Sequence, residues 1–345
     1  MASTFTRRDF LKTLAVSVAG LFLEGMTPAS FWDDPHTMQQ QGRVTVKSLE
    51  IYEEPSFESQ PVDTLWRDLV FPITAIEIGE DESAYNRIWY RLGEKGYAYS
   101  GWIQPVQTIL NPTVLEIPET GALAEVTVPY TDALAEPQDG ADVVYRLYYG
   151  TTHWVTETIS CEDRPRAWYR LIDDKNKDAV YFVPASHLRI IPENELLPLS
   201  PDIPSFQKFI EVRLSQQLAL AYEGHKLVYA TRISSGSRRA DGTYYTPEGH
   251  FFTKYKRPSR HMAAGNLANR GYDLPGVPWV MYITNGGISF HGTYWHNDFG
   301  HPHSHGCINL PIEAARWFFR WTTPTVPPTK PFVSTYTGTH VEIVR

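Results

Sequence analysis

The chain has 345 residues and a formal net charge of −8; 42% of its residues are hydrophobic, 20% charged and 13% aromatic. That length exceeds one comfortable hydrophobic core, so two or three domains are expected. Acidic residues are spread along the chain and Lys and Arg do not cluster, which argues against nucleic acid as a partner, because phosphate binding needs concentrated positive charge. The 26 prolines and frequent aromatics favour strands and turns over long helices. Cys161 and Cys307 are the two cysteines, too few for a disulfide scaffold, and no structural disulfide is expected.

The N-terminus carries Thr6-Arg7-Arg8-Asp9-Phe10-Leu11-Lys12 and then an uncharged stretch from Thr13 to Leu23. A basic run before a short apolar run is the layout of an export signal. The apolar part falls short of the ~20 residues that cross a bilayer core. This run resembles the twin-arginine export signal. The resemblance implies export of the folded protein and a periplasmic or other extracytoplasmic, wall-associated location. Residues 1–41 are therefore set aside as signal and linker.

From about 43 to 108 short alternating segments with Gly turns read as small strands and hairpins. Ile88-Trp89-Tyr90-Arg91-Leu92 leads into the turn Gly93-Glu94-Lys95-Gly96. The phrase returns at Ala167-Trp168-Tyr169-Arg170-Leu171, before the polar turn Asp173-Asp174-Lys175-Asn176, which suggests a duplicated unit. The two units, 43–108 and 121–195, resemble bacterial SH3-like domains through the Trp-Tyr strand, the turn and Gly101-Trp102-Ile103. The second copy lacks that Gly-Trp. Such domains bind wall peptides or brace a catalytic domain, and their Trp and Tyr residues are expected in the core. Asn111–Thr120 and residues 193–204, with Pro198, Pro201 and Pro204, read as linkers.

Residues 205–345 read as one further domain. Ile210, Val212 and Leu214, then Leu218, Leu220 and Tyr222, alternate on either side of short turns, as in a β meander. A single helix is expected at Ile312–Trp321, just after Pro311. The overall fold class is thus mostly β: two small barrels and a β-sandwich with a short helix.

The chemistry concentrates at two places. Strand Ile288-Ser289-Phe290 runs into His291-Gly292-Thr293, and Ser304-His305-Gly306-Cys307-Ile308-Asn309-Leu310 follows thirteen residues after His291. Cysteine is a strong nucleophile only as thiolate, so it needs a base or a positive field nearby, and His291 and His305 are the candidates. Gly306 permits a tight turn beside the cysteine, and amides around it could hold an oxyanion. The Gly292 carbonyl could fix the tautomer of His291.

His-Gly-Thr followed by Ser-His-Gly-Cys-Ile-Asn resembles the signature of the YkuD-like L,D-transpeptidases, and Thr246-Pro247-Glu248-Gly249-His250-Phe251 is similar to that family's Thr-Pro-x-Gly-x-Phe turn. The resemblance covers about 140 residues. It implies Cys307 as nucleophile, His291 as base and the Gly292 carbonyl as orienting group. His305, Gly306 and Cys307 would offer oxyanion contacts, while Ser304, Asn309, Trp295 and Tyr282 would shape the substrate site. It further implies peptidoglycan stem peptides as substrates, no cofactor, no metal and a monomer, with wall binding through the SH3-like units. One departure stands out: the His291–Ser304 spacing is short and holds His296, His301 and His303.

Three other readings stay open on the sequence. His301, His303, His305 and Cys307 are spaced by two, which on a strand would put a tetrahedral zinc set on one face. A papain-like wall hydrolase would also use Cys and His, but there the cysteine comes first. A degenerate, non-catalytic wall-binding domain is the third.

Overall fold

The computed structural model describes residues 40–160, 166–176, 179–266 and 269–345. The twin-arginine-like run and Cys161 lie outside the described residues. No helix among the described residues is long and apolar enough to cross a membrane.

The first β module runs from Gln41 to Val106. Its strands form a three-stranded sheet and a five-stranded sheet around Val44, Ile51, Leu65, Tyr90, Ala98 and Ile103. The second module, from Ala122 to Ile190, is one seven-stranded sheet with its own core of Ala124, Leu147, Tyr169, Leu171 and Val183. The two share a pairing plan. In each, a Trp-Tyr-Arg strand (Ile88–Arg91, Trp168–Ile172) pairs with the next strand (Tyr97–Tyr99, Val180–Pro184). A single 3-10 turn follows (Ser100–Trp102, Ala185–His187), and a short strand then returns to pair with the module's first strand. The long strand Thr152–Ile159 does in one piece what Val70–Pro72 and Ala75–Ile78 do separately: its start pairs with the module's first strand and its end with the Trp-Tyr-Arg strand.

Two expectations bear on this plan. Among the described residues the pairing closes no barrel in either module, and the sheets keep open edges. The segments read as linkers are packed. Val114 donates its amide to the Tyr169 hydroxyl at 2.8 Å, and Asn111 to the Ser186 carbonyl at 2.8 Å. Leu196 and Leu199 pack on the core of the following domain, and Leu199 donates to the Arg320 carbonyl at 3.0 Å. Prolines stop these segments from pairing as strands, but Leu196 and Leu199 still find apolar partners.

The C-terminal domain stacks two five-stranded sheets. One has the spatial order 226–232, 218–223, 208–213, 340–344, 249–252. The other has the order 308–310, 289–292, 269–282, 255–266, 333–334. Inward residues Ile210, Val212, Val341 and Ile343 of the first sheet and Met281, Phe290, Ile308 and Leu310 of the second form one core, as period-two alternation requires. Helix Ile312–Trp321 adds Ala315, Phe318 and Trp321 to it. Its C-terminal carbonyls meet two lysine amines: Lys256 donates to Phe319 and Thr322, and Lys208 to Trp321. Donors at that end complement the helix dipole.

Candidate active site

Strands Ser289–Gly292 and Ile308–Leu310 lie side by side and parallel, pairing His291 with Asn309. This register brings together residues that are eighteen apart, so that Cys307, one step before its strand, sits at the sheet end beside Ser289 of the His291 strand. Period-two alternation also puts Ser289 on the face of His291. The Ser289 Oγ lies 3.6 Å from the Cys307 Sγ, and the thiol reaches the Gly287 carbonyl at 3.7 Å. The sequence offered a signal for Ser289, two residues before the base on the same strand, although it is absent from the expected site.

His291 is buried, and its Nδ1–H donates to the Gly292 carbonyl at 3.1 Å. That bond fixes the tautomer with Nε2 unprotonated and available to a thiol proton. Gly292 is bare for a packing reason: a Cβ there would meet Pro278 Cγ at 2.8 Å. Cys307 is half-buried and a free thiol. Burial pushes its pKa up, but hydrogen bonding and charge from His291, with the Ser289 hydroxyl and amide, outweigh this, and the thiol lies below its ordinary value. The arrangement has the parts that a nucleophile, a base and an orienter require.

Gly306 has φ +141°, a conformation that side chains disfavour. Thr246 locks it there: the Thr246 hydroxyl donates to the Gly306 carbonyl at 2.8 Å and accepts the Gly236 amide at 2.7 Å. Ser304 Oγ binds the turn from the other side, accepting the Gly306 amide at 3.0 Å and donating to the Cys307 carbonyl. This corrects one expectation. The Gly306 amide is already satisfied, so of the three expected oxyanion donors only His305 and Cys307 stay candidates. Ser304 correspondingly braces the turn and does not merely line a groove.

The remaining candidates divide. Trp295 is half-buried with its ring 5.6 Å from that of His291. Tyr282 stacks on Tyr255 at 5.2 Å; burial, with the nearby Cys307 charge as a lesser cause, pushes its hydroxyl pKa up. His305 is exposed, 6.3 Å from the Tyr272 ring. Asn309 does not line the groove: it is 2% exposed and its amide meets His296 Nε2 at 3.0 Å. Two residues along a strand from the cysteine, it points into the same buried layer as Ser234, whose amide and carbonyl it pairs with.

The zinc set does not converge. His301 Nδ1 lies 3.1 Å and His303 Nε2 2.6 Å from the two carboxylate oxygens of Asp298, while His305 points to solvent. Among the described residues no group of three or more His, Cys, Asp or Glu is arranged to hold a metal ion.

Residues 207–343 match the family model of the YkuD L,D-transpeptidase catalytic domain. The match covers the C-terminal domain and less than half of the chain. The chain is similar to the putative L,D-transpeptidase YciB of Bacillus subtilis (strain 168), at 29% identity over 129 residues, 34% of this chain and 63% of the relative. It is also similar to the Ldtfm-avibactam carbamoyl enzyme, at 26% identity and TM-score 0.32, covering 40% of this chain and 49% of that one. A third likeness is to the catalytic domain of the E. faecium L,D-transpeptidase, at 27% identity and TM-score 0.30, covering 40% of this chain and 96% of that one. The chain thus spans less than two thirds of the YciB relative and about half of the Ldtfm chain. The L,D-transpeptidase match contains every residue of the Cys307–His291 pair and the Thr246 clamp, and neither β module.

Proposed function

We propose that the protein is a peptidoglycan L,D-transpeptidase that forms 3-3 cross-links. The observation that carries this reading is the His291 Nδ1–H donating to Gly292 beside a thiol whose pKa is lowered. The Cys307 thiolate attacks the carbonyl carbon of the third, L-centred residue of a wall tetrapeptide. The oxyanion meets the amides of His305 and Cys307. The tetrahedral intermediate collapses with cleavage of the amide bond, and D-alanine leaves as its amine with the proton held by His291. A thioester remains. The amine of a third residue on a neighbouring stem then attacks it, His291 takes that amine's proton, and the thiolate departs. General-base help of this kind contributes roughly 10²- to 10⁴-fold.

Water as acceptor would make the same thioester a carboxypeptidase intermediate. The twin-arginine-like run supports work outside the cytoplasmic membrane, and the two β modules are candidates for contact with the wall polymer. Incubation of the purified enzyme with disaccharide tetrapeptide, followed by mass spectrometry, tests the reading. Wild type should release D-alanine and form a dimer linked between third residues. Cys307→Ala should do neither and Cys161→Ala should do both. D-alanine release that survives Cys307→Ala would overturn the assignment.

A further inference from the structure

The twelve residues between His291 and Ser304 are the part of the catalytic domain that departs from the family pattern, and they meet the first β module. Asp298 sits at their centre, 5% exposed. Its carboxylate accepts from the Tyr99 hydroxyl of the first module at 2.6 Å, and bonds to His301 and His303. Its amide donates to His296 Nδ1 at 3.2 Å, and its carbonyl accepts from the Ser234 hydroxyl at 3.1 Å. Every polar group of Asp298 is therefore used. Beside it, the Asn297 amide donates to the Gly101 carbonyl at 2.8 Å, and Arg43 donates to the Tyr294 carbonyl at 2.8 Å. Gly101 is required for this approach, because a Cβ there would stand 2.9 Å from Asp298 Oδ1.

Both ends of this loop rest on the reacting groups. At the start, Trp295 lies against His291. At the end, the amides of His303 and Ser304 both donate to the Ser235 carbonyl at 3.0 Å, and the Ser304 hydroxyl braces Gly306 and Cys307. A short physical path thus runs from Tyr99 through Asp298 and His303 to the turn that presents the oxyanion amides. We propose that the first β module is a positioning element of the active site, acting through the Tyr99–Asp298 bond, with Tyr99 and Asp298 as positioning residues. This rests on the transpeptidase reading for its kinetic consequence but not for its structural one.

The consequence falls on kcat, because the amides of the turn meet a charge that exists only in the transition state. Ground-state binding of the stem does not use them, so KM is spared. Tyr99→Phe in the full chain removes one hydroxyl and keeps the ring. Asp298→Asn is the second variant and keeps the shape of the carboxylate. Tyr52→Phe is the control, since it deletes a comparable hydroxyl–carboxylate bond, to Glu50 at 2.7 Å, away from the loop.

Two readouts apply. Hydrogen-exchange mass spectrometry of the peptide spanning 301–310 should show at least about tenfold faster exchange in Tyr99→Phe and Asp298→Asn, and no change in Tyr52→Phe. D-alanine release should show kcat lowered about five- to twentyfold with KM within twofold, for a folded fraction equal to wild type by melting. Unchanged exchange at 301–310 in both loop variants overturns the proposal whether or not the enzyme releases D-alanine. So does an unchanged kcat, or a loss carried by KM alone. A wild type without D-alanine release would instead sink the transpeptidase reading, and the exchange result would still decide the role of Tyr99.

Discussion

The two β modules follow one pairing plan yet grip the catalytic domain by different chemistry at different places. The first meets the loop between His291 and Cys307 with a tyrosine hydroxyl, a backbone carbonyl and one arginine. The second meets the outer hairpin, Tyr255–Asn266 and Asn269–Tyr282, mostly with charge. His261 lies 2.5 Å from Asp173 and 2.7 Å from Asp273, and Arg257 and Arg260 both reach Asp174. Thr152 adds a bond to the Pro258 carbonyl at 2.7 Å. A repeated fold therefore does not imply a repeated role. Both touch the chain segment that joins base to nucleophile, the second through Tyr148 stacked on Tyr294 at 5.5 Å; only the first bonds to Asp298, whereas the second also stiffens a hairpin whose strand feeds the sheet behind them.

The sharpest way to break this contrast is to damage each side and ask what fails. His261→Leu leaves Asp173, 5% exposed, as a buried charge that has lost its ionic partner. Such losses cost about 3–5 kcal/mol, so urea unfolding should show a drop of that order while kcat of the folded enzyme stays within twofold. A large fall in kcat would mean that the hairpin contact also sets the site. Thr246→Val on the catalytic side unclamps Gly306 and leaves buried groups unpaired, at about 1–3 kcal/mol. Here the loss should appear as roughly ten- to a hundredfold in kcat, and an intact rate would refute the clamp.

The charged interface also predicts a pH response. Burial disfavours the His261 cation, but hydrogen bonds to Asp173 and Asp273 more than reverse this, so its folded pKa is raised above 6.5. Asp173 is shifted the other way: burial raises it, and the bond to His261 with nearby amides brings it below 3.8. The histidine's contribution is complete below its unfolded pKa and fades as pH rises through the raised value; the carboxylate's is complete above 3.8 and fades as pH falls through the lowered one. Thermal stability should therefore fall on the alkaline side of that window in wild type and not in His261→Gln. An equal slope in both would place the titration elsewhere. The smallest effect concerns salt: Lys175–Asp273, at 3.1 Å and partly exposed, should lose under about 1 kcal/mol between low and high ionic strength. A double-mutant cycle on that pair measures it.

What the sequence discloses follows from the range of each interaction. The Ser304–Asn309 run and His291-Gly292 are legible because the needs of a thiolate nucleophile are local: a base, an orienting carbonyl and a turn that only glycine fits. The helix at Ile312–Trp321 is legible from Pro311 and its apolar spacing, and its observed span agrees. Alternation marks the strands of both modules but says nothing about closure, so open sheets and barrels look alike. Pro198, Pro201 and Pro204 suggest a linker, yet Leu196 and Leu199 settle on the core. Tyr99 and Asp298 are 199 residues apart, and no periodicity couples them. A hint did exist in the loop itself, where one aspartate stands among three histidines.

The geometry around Cys307 makes one demand that a single measurement reaches: the thiol must ionise below its ordinary value of 9.0 because His291 is held by Gly292. Alkylation by iodoacetamide, followed across pH by mass at the Cys307 peptide, reads that ionisation directly. The midpoint should lie below 9.0 in wild type and rise in His291→Asn. A wild-type midpoint at or above 9.0, unmoved by His291→Asn, would contradict it.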